Sequence, residues 1–575
     1  MKKLWKINEN VNYMVTDLAA RLGVSPLLCQ LLINRGLSEP QKAEAFLAPD
    51  MTQLHNPFLF KDMERAVQRI KQAIQNKERI LIYGDYDVDG ISSVALMIRV
   101  LARYLPGNLL YYIPKRLEEG YGLHLNSLEK AISKEIDLII TVDCGISAAL
   151  EAAYLKTKGI DLIITDHHEP PPSLPEAYAI LNPKIPNSGY PFSQLAGVGV
   201  TYKLLQALGT GADLPDLAGR LSDNMDLVAL GTIADIVPLL EENRVLVKYG
   251  LEKIQKTGNL GLQSLIQSAG LKDKELNCSH IGYILAPRIN AAGRIGNPNL
   301  GLKLLLTNEP TLALELAQEL EKANKTRQEI ENQVWQEAQQ QIEGCPRMLE
   351  DHALVLFGEG WHIGVIGIVA SKLVEQYHKP VILIGLDGEE GRGSGRSIPG
   401  FNLFEAINEC SQFLTRFGGH EFAAGISIER SQIPSFTQAF LQLTRERIMK
   451  EALNPILVIE SLVDFNQLTL GLARELEKLA PYGSANPVPI LGCRSLDLIG
   501  YKNVGENGKH LKVKISNKQI TREGIGFNLG LVNQELASAR EVDVAFSLEE
   551  NNWNGFTQVQ LNLKDVVARR SHQSE

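Results

Sequence analysis

Five hundred and seventy-five residues exceed what one hydrophobic core can use, and at roughly 100 to 200 residues per domain the chain should hold about three or four domains. With 44% hydrophobic and 22% charged residues the composition is that of folded globular domains, which excludes a disordered or low-complexity chain. A net charge of −9 excludes a chain coated in positive charge, so a polyanionic partner would need a local basic groove or bound cations.

Residues 1–75 read as an N-terminal helical segment, with apolar positions Met63, Ala66, Val67, Ile70 and Ile74 at helical spacing near its end. From Ile80 the pattern changes to short apolar bursts separated by helical stretches: RILIYGD, NLLYYIP, IDLIITVD, IDLIITDHH and AYAILNP. That alternation predicts a parallel sheet wrapped by helices over 76–305. DLIITVDCG at 137 and DLIITDHHE at 161 nearly repeat, as one strand–helix–strand unit would. The run PTLALELAQELEKANKTRQEIENQVWQEAQQQIEG holds no glycine before its last residue and no proline after its first, so a long connecting helix is predicted over 306–345. Strands and helices alternate again over 346–450, a smaller α/β domain, and five or six bursts over 455–570 with GENG and NNWNG turns predict a small β-barrel. An oligonucleotide-binding (OB) barrel is one candidate among several.

The six cysteines contain no C-x-x-C, and no stretch approaches the roughly 18 to 20 apolar residues of a membrane span. The expectation is a reduced, cytoplasmic chain with no membrane partner.

Acidic residues fall where the predicted strands end, the place where ligands gather in such sheets. Asp85, Asp87 and Asp89 follow the first strand, with Gly90 allowing a tight turn, and three carboxylates so close repel one another unless cations neutralise them, the alternative being a solvated acidic turn. A calcium loop of the D-x-D-x-D-G type is excluded, because Leu96 stands where the bidentate Glu belongs. Later strand ends supply Asp143, then Asp166, His167 and His168, a mixed set that suits Mn²⁺, or Mg²⁺ where oxygen dominates. Asp226 and Asp235 bracket an apolar run, where a buried Asp needs a cation or a strong donor. AGVGVTYKLL lacks the third glycine of a dinucleotide fingerprint, and no GxxxxGK[ST] occurs, so neither NAD binding nor ATP-driven unwinding is expected.

Asp85 to Gly90, Asp143, Asp166 to His168 and Asp235 resemble the four motifs of the DHH phosphoesterase superfamily, in order. Within it, the segments APRINAAGRIG, GWHIGVIGIVASKL, GSGRSIPG, FGGHEFAAG and PYGSANPVPIL make the chain similar to single-strand-specific 5′-to-3′ exonucleases of bacterial DNA repair and recombination. The resemblance implies a DHH domain, a DHH-associated domain and a C-terminal OB-like barrel. It implies Asp87, Asp89, Asp143, His167 and Asp235 as ligands of two Mn²⁺ or Mg²⁺ ions, with Asp143 bridging and Asp85 a further ligand or the support of one. Tyr83 stands where some relatives show His, which leaves a one-metal centre open. His168 would face the scissile phosphate, and the two cations would activate water and bind phosphate oxygens during in-line attack. Arg288 and Arg294 either add charge near the transferred phosphate or form structural pairs. Ser394 and Arg396, in a Gly-rich loop, and Arg116 would capture a 5′-phosphate, Tyr121 would stack on a terminal base, and His420 would contact phosphates across the cleft.

The function implied is hydrolysis of single-stranded DNA from a 5′ end to mononucleotides, by a monomer served by a separate helicase and a single-strand-binding protein. Two alternatives stand beside it. A DHH phosphodiesterase of a small substrate, such as an oligoribonucleotide, a cyclic dinucleotide or pyrophosphate, would leave 455–575 without a task. A non-catalytic scaffold should show broken metal motifs.

Overall fold

The computed structural model describes residues 3–9, 12–116, 118–133, 135–211, 213–553 and 556–569. The chain forms two compact units, one of residues 54–237 and 245–454, the other of residues 2–53, 238–244 and 455–575. Among the described residues no single helix is long and apolar enough to cross a membrane.

The first unit opens with five parallel strands, side by side in the order Leu109–Tyr112, Ile80–Gly84, Leu138–Val142, Asp161–Thr165, Ala179–Leu181. Ile80–Gly84 and Leu138–Val142 are buried along their whole length, as expected of parallel strands covered on both faces. The near-repeat at 137 and 161 is a strand–helix–strand unit, with Leu138 beside Asp161 and Val142 beside Thr165. Because the second strand in sequence lies outside the first, the chain reverses its direction of winding between Ile80–Gly84 and Leu138–Val142. Connections leave these strands toward opposite sides, which opens a crevice at their carboxyl ends. Asp85 and Asp143 are the first residues beyond those ends.

The connecting helix runs over Pro310–Gly344, about 50 Å at the usual rise. Its N-terminal part contacts helices Leu260–Ser268, Ala286–Ile295 and Asn299–Leu306. Farther along, Val334, Ala338 and Ile342 join the core around Leu356, Trp361 and Val369. Between these ends sits a buried polar group: Arg327 donates to Asn324 Oδ1 and pairs with Glu331, which also pairs with Lys372. The second sheet has the order Arg416–His420, Ala423–Glu429, Glu390–Arg396, Val381–Asp387, Leu354–Glu359.

Two sequence expectations need correction. The Gly-rich stretch before SIPG is not a loop but a central strand, Glu390–Arg396, so its N–H groups are committed to ladders on both sides. Its glycines allow close packing instead: a Cβ on Gly391, Gly393 or Gly395 would lie 2.9, 2.6 or 2.9 Å from Ile384, Ile426 or Leu403. Nor do residues 1–75 stay together, since those up to 53 belong to the second unit. Helix Pro26–Asn34 is too short to bury Leu28, Leu31 and Leu32 alone, and they share a core with Leu491, Val513 and Val544 of the barrel.

That barrel closes through five strands, Leu491–Val504, His510–Ser516, Thr521–Gly526, Phe556–Arg569 and Glu541–Trp553, the last pairing back onto the first. Closure removes the sheet edges. Within this unit Arg244 is buried, with its guanidinium 3.8 Å from the Phe46 ring centroid, and it donates to Phe46 O at 2.8 Å and Ala480 O at 2.6 Å. Arg244→Met should destabilise the barrel unit by about 3 kcal/mol, because the carbonyls left behind stay buried without a donor. Urea unfolding followed by circular dichroism checks this, and an unchanged midpoint would contradict it.

Candidate metal centre

Asp87 caps helix Val88–Leu101: its Oδ1 accepts from Asp89 N at 2.9 Å and Gly90 N at 3.0 Å. The D-x-D-x-D-G run is therefore a strand-to-helix junction, and the helix N-terminus helps to hold negative charge. Gly90 is required because a Cβ there would lie 2.6 Å from Asp85 O. Asp89 accepts from Gly197 N at 2.7 Å and Val198 N at 2.8 Å, at the start of helix Gly197–Leu208. Sequence reasoning found no task for AGVGV, which here forms a wall of the site. A Cβ on Gly197 would lie 2.4 Å from Asp143 Oδ1, and one on Gly231 would lie 2.8 Å from Asp89 Oδ1. The only signal was small residues in an apolar run, which is common in any packed helix.

Asp143 has φ +60°, a left-handed backbone that Asp tolerates better than most residues and that turns the chain sharply off the strand end. His167 Nε2 lies 3.1 Å from Asp143 Oδ1, 3.5 Å from Asp235 Oδ2 and 4.0 Å from Asp89 Oδ2. Asp85 Oδ1, Asp143 Oδ1 and His167 Nε2 are buried without a hydrogen-bond partner. Ligand atoms of Asp85, Asp87 and Asp143 fall within 4.8 Å of one another, as do those of Asp89, His167 and Asp235, and those of Asp143, His167 and His168. All six residues expected as ligands thus converge, and Asp143 belongs to two of the three sets. Tyr83 takes no part: its ring is buried against Tyr112 and its hydroxyl donates to Gly122 O at 3.1 Å.

Burial, then the charge of neighbouring carboxylates, raises the pKa of Asp85 and Asp143, lifts Asp89 to about 7 and lifts Asp235 to about 9. Burial pushes His167 down to about 3, so its imidazole is neutral and its unpartnered Nε2 carries a lone pair. Neutral imidazole and crowded carboxylate oxygens are the donor set of a divalent Mn²⁺ or Mg²⁺ site. The residues fit the metal.

Asp166 plays a different part. Its oxygens accept from Ile146 N at 2.9 Å, His167 N at 2.7 Å and His168 Nδ1 at 2.7 Å. Burial would raise its pKa, but these donors, His168 foremost, hold it below the usual carboxylate range. Burial likewise opposes charge on His168, yet the Asp166 hydrogen bond raises its pKa. The Tyr121 hydroxyl lies 2.9 Å from His168 Nδ1 and donates to Asp143 O at 3.3 Å. Tyr121, expected as a base platform, is thus tied to the metal centre. Asp226 is structural, bonded to Thr257 and its neighbour Leu227 N.

Beside the carboxylates lies a group of arginines. Arg116 stands over the Tyr86 ring, 5.2 Å from its centroid, and its charge also acts on Asp85. Burial and the charges of Arg116, Arg327 and Arg396 bring Arg294 down to about 10. Arg294 donates to Gly364 O at 3.1 Å, and Arg396 to Ser394 Oγ at 3.0 Å and Gly395 O at 2.7 Å. Among the described residues none of Arg116, Arg294 and Arg396 has a carboxylate within ion-pair distance. Arg288 is different: its Nε bonds Glu321 at 2.6 Å and its Nη1 bonds Ile284 O at 2.6 Å. It ties two helices together, so this geometry does not give it the expected place at the transferred phosphate. His420 ends the exposed edge strand Arg416–His420 and accepts from Phe422 N at 3.3 Å. No hydrogen bond joins it to the metal centre among the described residues.

Residues 79–232 match the DHH family, N-terminal domain, 350–446 the DHHA1 domain and 459–565 the RecJ OB domain. The chain is 38% identical over 568 residues to the single-stranded-DNA-specific exonuclease RecJ of Bacillus subtilis, covering 98% of this chain and 71% of that one. It is 34% identical to the RecJ exonuclease of Haemophilus influenzae, covering 99% of each chain. The crystal structure of RecJ in complex with Mn²⁺ from Thermus thermophilus aligns with a TM-score of 0.84 at 29% identity, over 99% of this chain and 80% of that one. Its Mg²⁺ complex aligns with a TM-score of 0.76 at 27% identity, over 99% of this chain and 79% of that one.

Gly197→Ala should weaken Mn²⁺ binding by about 10- to 100-fold in calorimetric titration, because the new Cβ must displace Asp143. The pH dependence follows from the carboxylates. A group whose pKa is higher folded than unfolded binds more protons in the folded chain, so the metal-free protein loses stability as pH rises from the ordinary carboxylate range through about 7 and about 9. A bound cation replaces those protons. The rise in Tm on adding Mn²⁺ should therefore be larger at pH 8 than at pH 6, and equal rises would argue against binding at this cluster.

Proposed function

The chain belongs to the RecJ family of single-stranded-DNA-specific exonucleases, and on that premise we propose that it hydrolyses single-stranded DNA from the 5′ end, releasing 5′-mononucleotides. The observation that carries the reading is the adjacency of a buried carboxylate–imidazole cluster with unpartnered lone pairs and an arginine group without acidic partners. Asp85, Asp87 and Asp143 would hold one ion and Asp89, His167 and Asp235 the other. Mn²⁺ or Mg²⁺ bound there supplies activation of water and neutralisation of phosphate charge.

The protein's own groups do the rest. His168, whose charged form the Asp166 hydrogen bond favours against burial, would present its Nε2 to a phosphate oxygen. Arg116, Arg294 and Arg396, with Ser394, take a terminal 5′-phosphate through charge-assisted hydrogen bonds. An end anchored there places the first phosphodiester at the metal centre, which favours 5′-to-3′ polarity and mononucleotide products. His420 meets the strand from the second sheet and Tyr121 lies against its terminal nucleotide. The barrel offers a surface for single-stranded nucleic acid, a task that a small substrate would not need. No ATP-binding motif is present in the sequence, so a separate helicase supplies single strands and a single-strand-binding protein meets the monomer in the cytoplasm.

The deciding assay compares single strands with 5′-phosphate, 5′-hydroxyl and blocked 3′ ends in Mn²⁺. Mononucleotides should leave the 5′ end and a 3′ block should not matter; release from the 3′ end would refute the polarity. Asp143→Ala should lower kcat about a hundredfold or more with the fold intact. Arg396→Ala should narrow the preference for a 5′-phosphate over a 5′-hydroxyl, read as the ratio of kcat/KM values.

A further inference from the structure

Helix Met225–Ala234 leads directly into Asp235, a member of the second donor set. The next residue, Ile236, has φ +59°, and its N–H donates to Ile233 O at 3.3 Å. Helices commonly end in this way on glycine, because a left-handed backbone crowds any Cβ. For a β-branched residue that conformation is a true outlier, and such outliers cluster at functional sites. The side chain finds little packing in return, since Ile236 is 70% exposed. An aliphatic group therefore stands in solvent one residue beyond a carboxylate whose Oδ2 lies 3.5 Å from His167 Nε2. The helix also contacts the turn Ile281–Leu285, on which Tyr283 is 81% exposed. The adjoining element thus offers a second apolar side chain to solvent.

We propose that Ile236 is a nucleobase-contact residue, whose side chain lies against the face of a base in the strand held at the metal centre. The inference rests on the single-strand nuclease reading above. Every base has an apolar face, so an apolar protein group grips a strand without reading its sequence. The exposed area of Ile236 is covered only when such a ligand is bound, and the gain from covering it is then binding energy. Base contact one residue from Asp235 fixes the strand beside the ligands. Ile236 is a positioning residue, with no part in proton transfer or metal binding.

Ile236→Gly and Ile236→Asn both accept the left-handed backbone and both remove the aliphatic group. KM and kcat are measured on 5′-phosphorylated single strands, intact and with one abasic site moved stepwise inward from the 5′ end. Both variants should keep or raise Tm, with KM up about five- to tenfold and kcat within about twofold. One abasic position that slows the wild-type protein should no longer slow the variants. A KM within about twofold of wild type, or an unchanged abasic profile, overturns the inference. If the wild-type protein degrades no strand, the function reading fails instead. Ile236 is then judged by the Kd of a fluorescent single strand, and equal Kd values for wild type and variants overturn the inference.

Discussion

Repulsion among carboxylates is the constraint on which the rest of this structure depends. Asp85, Asp89 and Asp143 are buried together, with Asp87 and Asp235 at the margin, and no lysine or arginine forms an ion pair with any of the five among the described residues. In water such a group would disperse; here the backbone prevents it. A helix N-terminus holds Asp87, another holds Asp89, and a left-handed residue turns Asp143 inward. A divalent cation bound among these carboxylates would neutralise their mutual repulsion and offset the cost of burying them.

The arginines answer the same constraint from the other side. Arg116 acts on Asp85 and also faces Tyr86, so positive charge stands beside the carboxylates without cancelling them. Direct pairing of either group with the other would remove both the metal ligands and the anion site. A phosphate drawn to the arginines is brought beside cations held by the carboxylates, which is how a chain of net charge −9 can act on a polyanion.

Much of this is legible in the sequence. Aspartates at strand ends point into the crevice of a parallel sheet because strand direction and winding place them there, so Asp85, Asp143 and the Asp166–His168 run could be named as candidates from pattern, and the resemblance to the DHH superfamily then singled out His167. The long helix was legible because Pro310–Gly344 carries no breaker inside it. Other positions were hidden for physical reasons. Glycines in GRGSGR read as a loop, since local sequence cannot show that Ile384, Ile426 and Leu403 approach too closely for a Cβ. For Arg288 the sequence left a phosphate role and a structural pair equally open, because Glu321, which it bonds, is 33 residues away. Gly197 gave no hint of Asp143 above it.

By itself, the sequence determined the order of elements, a set of candidate metal donors at the strand ends and the presence of a terminal barrel, because hydrophobic period and residue chemistry are local properties; the choice among those donors came from the resemblance to the DHH superfamily. Tertiary structure alone decided which charges stay unpaired, which glycines are obligatory, and that residues up to 53 fold against the barrel rather than against the chain that follows them. Pairing, close approach and shared cores depend on distance between segments remote in sequence. That distance is set only when the whole chain has packed.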